Sequence, residues 1–384
     1  MKKDFSLLLI GFFDSVYFIQ FVKNIKSKCP DAHLFYWGYK PSANVNDEVY
    51  LDCFDEYSFV DVIHKRRNII LRKIESVLQF RSQFRAFTLH KKFDCVNIHF
   101  VRPEYFFIQN YLRKCSSKIM LTPWGSDVYR IDKKSIFLLK KLYASADYIT
   151  GGNDRFVQDI IRKFNVDRNK ILNYCLGADI IDYISDHKSI IDVFEAKKQM
   201  GLEGNYVITC GYNALQEQQH EIIIDSIISI KDSLPPNLLL LFPFTYPQNP
   251  PYIKVIKEKV RRSGLKALFV ERFLNLSDLF LIRQATDMFV HIQTTDAGST
   301  SVREYILCEK NVINGSWLKY PELGRANHYP YYEVDNLANL GQIILKAYLS
   351  GPLPVEKETL DVIEQRKWGN AIDNWVLFFS NLSV

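Results

Sequence analysis

The chain has no Cys-x-x-Cys pair. Its seven cysteines, at 29, 53, 95, 115, 175, 210 and 308, are scattered along the whole length. That spacing gives neither a zinc knuckle nor a disulfide framework, and it fits a protein kept in a reducing cytosol. No Asp-x-Asp occurs, so paired carboxylates that would hold a divalent metal at one strand end are missing. Neither a metal nor a cofactor is expected. No apolar run approaches the roughly 18 residues that span a bilayer. The apolar stretch after Met1 is bracketed by Asp4 and Asp14 and has no small-residue cleavage site, so it reads as a first buried strand rather than a signal peptide. Low-complexity tracts and internal repeats are absent too. What remains is ordinary globular material, 47% hydrophobic and 24% charged, and 384 residues are enough for two domains.

The charge is unevenly placed. Between His64 and Lys92 stand nine Lys or Arg (65, 66, 67, 72, 73, 81, 85, 91, 92) against one acid, Glu75, a local excess of +8 where the whole chain carries +6. Ile69, Ile70, Leu71, Ile74, Val77, Leu78, Phe80, Phe84 and Phe87 are interleaved, mostly at spacings of three and four. This pattern is a basic amphipathic helix or helix pair. It serves either as a packed helix with a solvated face or as a segment, residues 64–92, lying on an anionic membrane surface. No nucleic-acid fold signature accompanies it, so nucleic acid is not an expected partner.

Apolar runs alternate with helical patterns. Strands are expected at 5–11, 31–38, 93–100, 118–123, 146–150 and 171–176, with helices at 15–27, 64–89, 103–113, 135–145 and 153–164. A second series follows, with strands near 205–211, 237–243, 267–271, 287–293 and 311–314 and helices near 217–231, 251–263, 276–285 and 299–309. Such alternation means βαβ units and parallel sheets, an α/β fold of two doubly wound domains facing a cleft. The polar stretch 177–204 separates the two series. The expected division is 1–185, 186–355 and a C-terminal helical tail, 356–384, that closes back onto the first domain.

The chemistry gathers in the second series. Asp296 and Glu304 stand eight residues apart in the segment 293–304. The first follows the end of an apolar strand, and the second lies about one turn into the next helix. Ligands of open α/β sheets bind in the crevice at such strand ends. Gly298 lets backbone approach closely, and Ser299, Thr300 and Ser301 offer hydroxyls and amides at a helix N-terminus, where phosphates bind. The segment 211–220, with Asn213 and His220, opens another helix in the same way. Arg303, Arg272 and Lys319 are available to neutralise phosphates. Plainer readings stand beside these. Ser301 to Glu304 is also a capping box, Asp296 an ordinary loop acid, His99 and His291 core histidines, His220 a helix-start residue, and Asp127 a turn cap.

The segment Asp296 to Glu304 resembles the Glu-x7-Glu segment of retaining GT-B glycosyltransferases, family 4 and its relatives. The stretch 146–153 followed by 170–179 is similar to the end of their acceptor domain, and Pro123-Trp124-Gly125-Ser126-Asp127 to their His-Gly-x-Asp turn. The resemblance implies two Rossmann-like domains, an acceptor-binding one first and a nucleotide-sugar donor domain second, with a retaining, metal-independent transfer in cell-surface polysaccharide synthesis. It makes Glu304 the acceptor of ribose hydroxyl hydrogen bonds and Asp296 the carboxylate facing the transferring sugar, whose transition state is cationic. It adds His99 as acid/base or acceptor contact and Asp127 as a member of the catalytic group. It implies a glycan or polyprenol-linked acceptor, and with the scattered cysteines and the basic segment 64–92 the expected place is the cytoplasm, with a peripheral position at the inner face of the plasma membrane as the alternative to free solution. Three departures stand out: Asp296 replaces a Glu, Trp124 stands where His is common, and the basic pair after the first donor-domain strand is missing. Tyr212, Asn213, Gln218 and His220 occupy that place, so Asn213 and His220 are the expected phosphate contacts. A GT-B epimerase or hydrolase of nucleotide sugars, or a non-catalytic binding member of a synthesis complex, are the rival readings.

Overall fold

The computed structural model describes residues 4–12, 15–40, 51–62, 68–246, 249–324 and 328–382. Two separate parallel sheets form, as the alternation predicts. The chain divides into two compact units, Met1–Gly177 with Trp368–Val384, and Ala178–Lys367.

The strands of the first unit are β1 (Ser6–Phe12), β2 (His33–Tyr39), β3 (Glu56–Val60), β4 (Cys95–His99), β5 (Ile119–Thr122), β6 (Tyr148–Thr150) and β7 (Ile171–Leu172). They lie in the order β3-β2-β1-β4-β5-β6-β7, each neighbouring pair parallel. Central strands of a parallel sheet are covered on both faces, and so read as continuous apolar runs; Leu7, Leu8, Leu9 and Ile10 are all fully buried. The last helix, Trp368–Leu382, packs on Val16–Lys28 and adds Trp375 and Phe379 to the aromatic core around Phe5 and Phe21.

The second unit holds β8 (Tyr206–Cys210), β9 (Leu238–Pro243), β10 (Lys266–Val270), β11 (Met288–His291), β12 (Asn311–Gly315) and β13 (Tyr332–Val334), in the order β10-β9-β8-β11-β12-β13 and again all parallel. The order reverses between β8 and β11. The register pairs Val290 with Cys210, so the two strands end level with each other.

Several elements differ from the sequence reading. The stretch 177–204 is not a plain polar separator but contains two helices, Asp179–His187 and Val193–Gln199. Ile180, Ile181 and Ile184 fall at helical spacing and are buried, an apolar face hidden among charges. The strand expected at 171–176 shrinks to Ile171–Leu172 at the sheet edge. Pro103 starts a tight 3-10 turn, Pro103–Ile108, before the α-helix Gln109–Cys115. The tail is two helices, Lys357–Glu364 and Trp368–Leu382. The basic helix runs over Ile69–Thr88 and is capped by Asn68, whose side chain accepts from Ile70 N at 2.9 Å. Lys65, Arg66 and Arg67 lie outside the described residues. Among the described residues no helix is long and apolar enough to cross a membrane.

Candidate functional site

The strand order reverses at β8 and β11, so the chain leaves these neighbours toward opposite edges of the sheet. Right-handed crossovers then carry the two following helices to opposite faces and leave a crevice between the loops. Helix His220–Ser229 packs beside Pro250–Ser263, whereas Thr300–Leu307 packs beside Leu276–Ala285. The loops 211–219 and 292–299 therefore lie side by side at this crevice. Gln293 joins them. Its buried amide oxygen accepts from Tyr212 Oη at 3.0 Å and from Gln218 Nε2, its backbone carbonyl accepts from Trp317 Nε1 at 2.8 Å, and Thr294 N donates to Glu217 O at 2.9 Å. Gly211 has φ +62°, and a Cβ there would come within 2.8 Å of Gln218 and 2.9 Å of His220.

Asp296 is the organiser of the 292–299 loop. Its Oδ1 accepts from Gly298 N at 3.1 Å, and its Oδ2 accepts from Ser299 N at 2.9 Å and from Tyr320 Oη. Gly298 has φ +103°, a conformation open to glycine, and this bends the amides toward the carboxylate. Burial, with the Asp296 charge beside them, raises both Tyr212 and Tyr320, so both phenols keep their protons and donate. His291 Nε2 lies 3.7 Å from Asp296 Oδ2, and its Nδ1 pairs with Asn314 Oδ1 at 2.8 Å. Burial lowers the His291 pKa, against the pull of Asp296, so the ring is neutral.

Helix Thr300–Leu307 is capped by Ser299, whose Oγ accepts from Ser301 N at 3.2 Å. The capping box from Ser301 to Glu304 does not form, because Ser301 is already inside the helix. Glu304 instead turns inward. Its Oε2 accepts from Arg283 Nε at 2.7 Å, and both side chains are 4% exposed. The Glu304 charge also reaches Tyr246, on the loop after β9, whose pKa is raised mainly by burial with Glu304 adding to it. Arg303 is buried as well. Its Nη1 donates to Gly298 O at 3.0 Å and Ser299 O at 3.1 Å, and its Nη2 pairs with Glu322. Its charge serves the loop, not a phosphate.

The remaining expected residues are placed as follows. Thr300 opens the helix beside Ser299 and Ser301. Lys319 is exposed on the loop after β12, near Glu333. Asn213 is buried and caps its own turn, accepting from Leu215 N at 3.0 Å. His220 is fully buried among Phe242, Phe244 and Tyr252, and burial lowers its pKa to about 3. Arg272 is paired with Asp278 after the edge strand β10, two strands from the reversal. So the fold gathers Asp296, Gly298, Ser299, Thr300, Ser301 and Glu304, keeps Asn213 and His220 beneath the neighbouring loop, and sets Arg272 apart.

In the first unit His99 ends β4 and is fully enclosed by Phe18, Phe21, Trp124 and Trp375, with Nε2 at 3.0 Å from Asn97 Nδ2. Burial lowers its pKa to about 3. Asp127 ties two strand ends together, accepting from Val101 N at 2.7 Å and from Trp124 N and Gly125 N at 2.8 Å. Burial pushes it up to about 6 in spite of those bonds. Arg283, Gln293, Tyr320 and His291 were not marked as site residues by sequence reasoning. Arg283 left a signal, a cation directly after the apolar run 279–282. Among the described residues no three His, Cys, Asp or Glu come together as a metal cluster.

No family model matches the sequence, and no curated protein matches it. Solved structures do. Sucrose-phosphate synthase of Thermosynechococcus elongatus superposes with a TM-score of 0.73 at 14% identity, covering 98% of each chain. Anabaena HepE in complex with UDP and glucose gives 0.72 at 12% identity over 98% of this chain and 100% of that one. A glycosyltransferase of Rickettsia africae gives 0.70 at 14% identity over 99% and 98%. The fold is GT-B. At these identities the likeness is one of GT-B architecture, and residue roles rest on the site itself.

Proposed function

We propose that the chain is a retaining, metal-independent glycosyltransferase that moves a sugar from a nucleotide-sugar donor to a glycan or lipid-linked acceptor in cell-surface polysaccharide synthesis. The observation that carries this reading is the placement of Asp296 and Glu304 on one loop and helix at the strand-order reversal of the second unit. Glu304 Oε2 accepts from Arg283 Nε, and that is the one hydrogen bond of its side chain among the described residues. Oε1 is left as an acceptor for a ribose hydroxyl. Asp296 is held by two amides and a phenol, a fixed negative charge of the kind that stabilises a cationic glycosyl transition state. The positive end of helix Thr300–Leu307, with the hydroxyls of Ser299 and Ser301 rather than the amides already given to Asp296 and Ser299, favours the negative phosphates. Lys319 is the cation we assign to them, because Arg272 and Arg303 are committed elsewhere and His220 is buried neutral. Metal independence is part of this reading and is supported by a sequence without Asp-x-Asp.

HepE is solved with UDP-glucose, which makes a UDP-linked hexose the first donor to test. The deciding experiment incubates the chain with UDP-glucose, EDTA and a polyprenol-linked glycan extract, and follows UDP release and the anomeric configuration of the product. Acceptor-dependent release with retention supports transfer. Turnover without acceptor assigns the chain to the epimerase or hydrolase class. The 211–219 loop holds Glu217 but no Lys or Arg, with Tyr212 and Gln218 where basic residues would hold phosphate, and this favours the non-catalytic reading as the rival. Nucleotide binding without any turnover would select it.

A further inference from the structure

We infer that the helix Ile69–Thr88 docks the first unit onto an anionic lipid surface. A surface helix normally buries one apolar stripe and exposes the rest. Here the buried residues are Phe80, Phe84, Phe87 and Thr88, all in the C-terminal half. The N-terminal half carries a second stripe, Ile70, Ile74 and Leu78, at successive spacings of four, which stacks them on one side of the helix. They are 65%, 52% and 59% exposed, and Leu71 beside them is exposed too. Arg81 and Arg85 continue the same side at spacings of three and four, and Arg72 and Lys73 flank it.

A second helix repeats this composition. Ser135–Ser145 presents exposed Phe137 with Lys140 and Lys141 three and four residues on, and Lys141 Nζ lies 4.4 Å from the Phe137 ring centre. Both helices pack on the same turn, Pro103–Ile108. Four acids lie nearby: Glu75 is half-buried, Asp132 is engaged with Ser135 at the helix start, Glu104 on the shared turn is paired with Arg102, and Asp61 is exposed beside Gln83 near the C-terminal half of the helix.

The mixture of exposed aliphatic side chains and cations decides the partner. Aliphatic groups enter the acyl boundary while Lys and Arg meet anionic headgroups. A second copy of the chain would bring like charges together. Nucleic acid would use the cations but leave Ile70, Ile74 and Leu78 with nothing to contact. Each cation near such a surface strengthens binding about fivefold, and the effect is screened by salt.

The test is sedimentation of the full chain with phosphatidylcholine vesicles and with vesicles in which a third of the lipid is phosphatidylglycerol. The wild type is expected to pellet with the anionic vesicles only and to be released by high salt. Ile70→Ser/Ile74→Ser/Leu78→Ser and Arg72→Gln/Lys73→Gln/Arg85→Gln should each weaken partitioning at least about 50-fold, with thermal midpoints unchanged because these side chains are solvent-facing. Equal pelleting with both lipids overturns the inference, as does anionic binding that survives both sets. A dimer in solution that the serine set converts to monomer, without vesicle binding, assigns the face to a second copy and overturns it too. The measurement uses no nucleotide, so its failure is separate from failure of the donor-site reading.

Discussion

Glu304 and Arg283 form an ion pair almost wholly removed from water, with Oε2 and Nε 2.7 Å apart. Removing one partner of such a pair strands the other charge and costs about 3–5 kcal/mol. Glu304→Ala is therefore expected to lower the stability of the second unit by that amount, and Arg283→Met likewise. Glu304→Gln, which keeps the shape, costs less. Urea unfolding of the single and double variants checks this. The double variant should be less destabilised than the sum of the singles, since neither charge is then left unpaired.

Asp296→Asn keeps the size of the side chain but removes its charge. Transfer is expected to fall about 100-fold or more in kcat, the scale on which a positioned electrostatic group acts, with nucleotide affinity within a few-fold of wild type. Tyr320→Phe removes one donor to the same carboxylate and should give a smaller loss in kcat. Steady-state kinetics with separate donor titration resolves kcat from KM in both.

Gly298→Ala forces a Cβ into a backbone with φ +103°. Such strain costs about 1–3 kcal/mol and loosens the loop that Asp296 organises. A weakening of donor binding by about tenfold or more, read by calorimetry, is expected with the overall fold retained in circular dichroism.

Acid acts through buried histidines. His99 and His220 fall from an ordinary value near 6.5 to about 3 on folding. The unfolded chain then binds more protons, so stability rises with pH between about 3 and 6.5 and is lost as pH falls through that window. At pH 5 each ring costs roughly 2 kcal/mol. Asp127 works the other way. Its folded value is raised to about 6, so its contribution falls as pH rises from about 4 to 6. His99→Gln should flatten the acid limb of the first unit's unfolding curve, and Asp127→Asn should steepen it between pH 4 and 6.

The doubly wound fold was legible because strands buried on both faces, such as Leu7 to Ile10 and Met288 to His291, are unbroken apolar runs. Edge strands carry no such signal. β3 and β13 are short and partly exposed and were not expected. The helices at 179–187 and 193–199 were hidden by charge, although Ile180, Ile181 and Ile184 keep helical spacing. At the site, Asp296 and Glu304 were legible from their place after a strand. Their partners were not, since Arg283 and Tyr320 lie 21 residues before Glu304 and 24 after Asp296 and meet them through the sheet. His99 and His220 look like ligands in sequence, but the strand end and helix start that hold them face the core.

The most direct test of the donor-site reading is calorimetric titration of UDP, GDP and TDP into the wild type and Glu304→Gln, each shown to be folded by near-ultraviolet circular dichroism. One diphosphate should bind the wild type, and Glu304→Gln should weaken it at least about tenfold, the loss of one hydrogen bond from a charged acceptor to a ribose hydroxyl. No binding of any of the three to folded wild type, or equal affinity in both proteins, would contradict the assignment of Glu304 and its loop to a nucleotide-sugar donor.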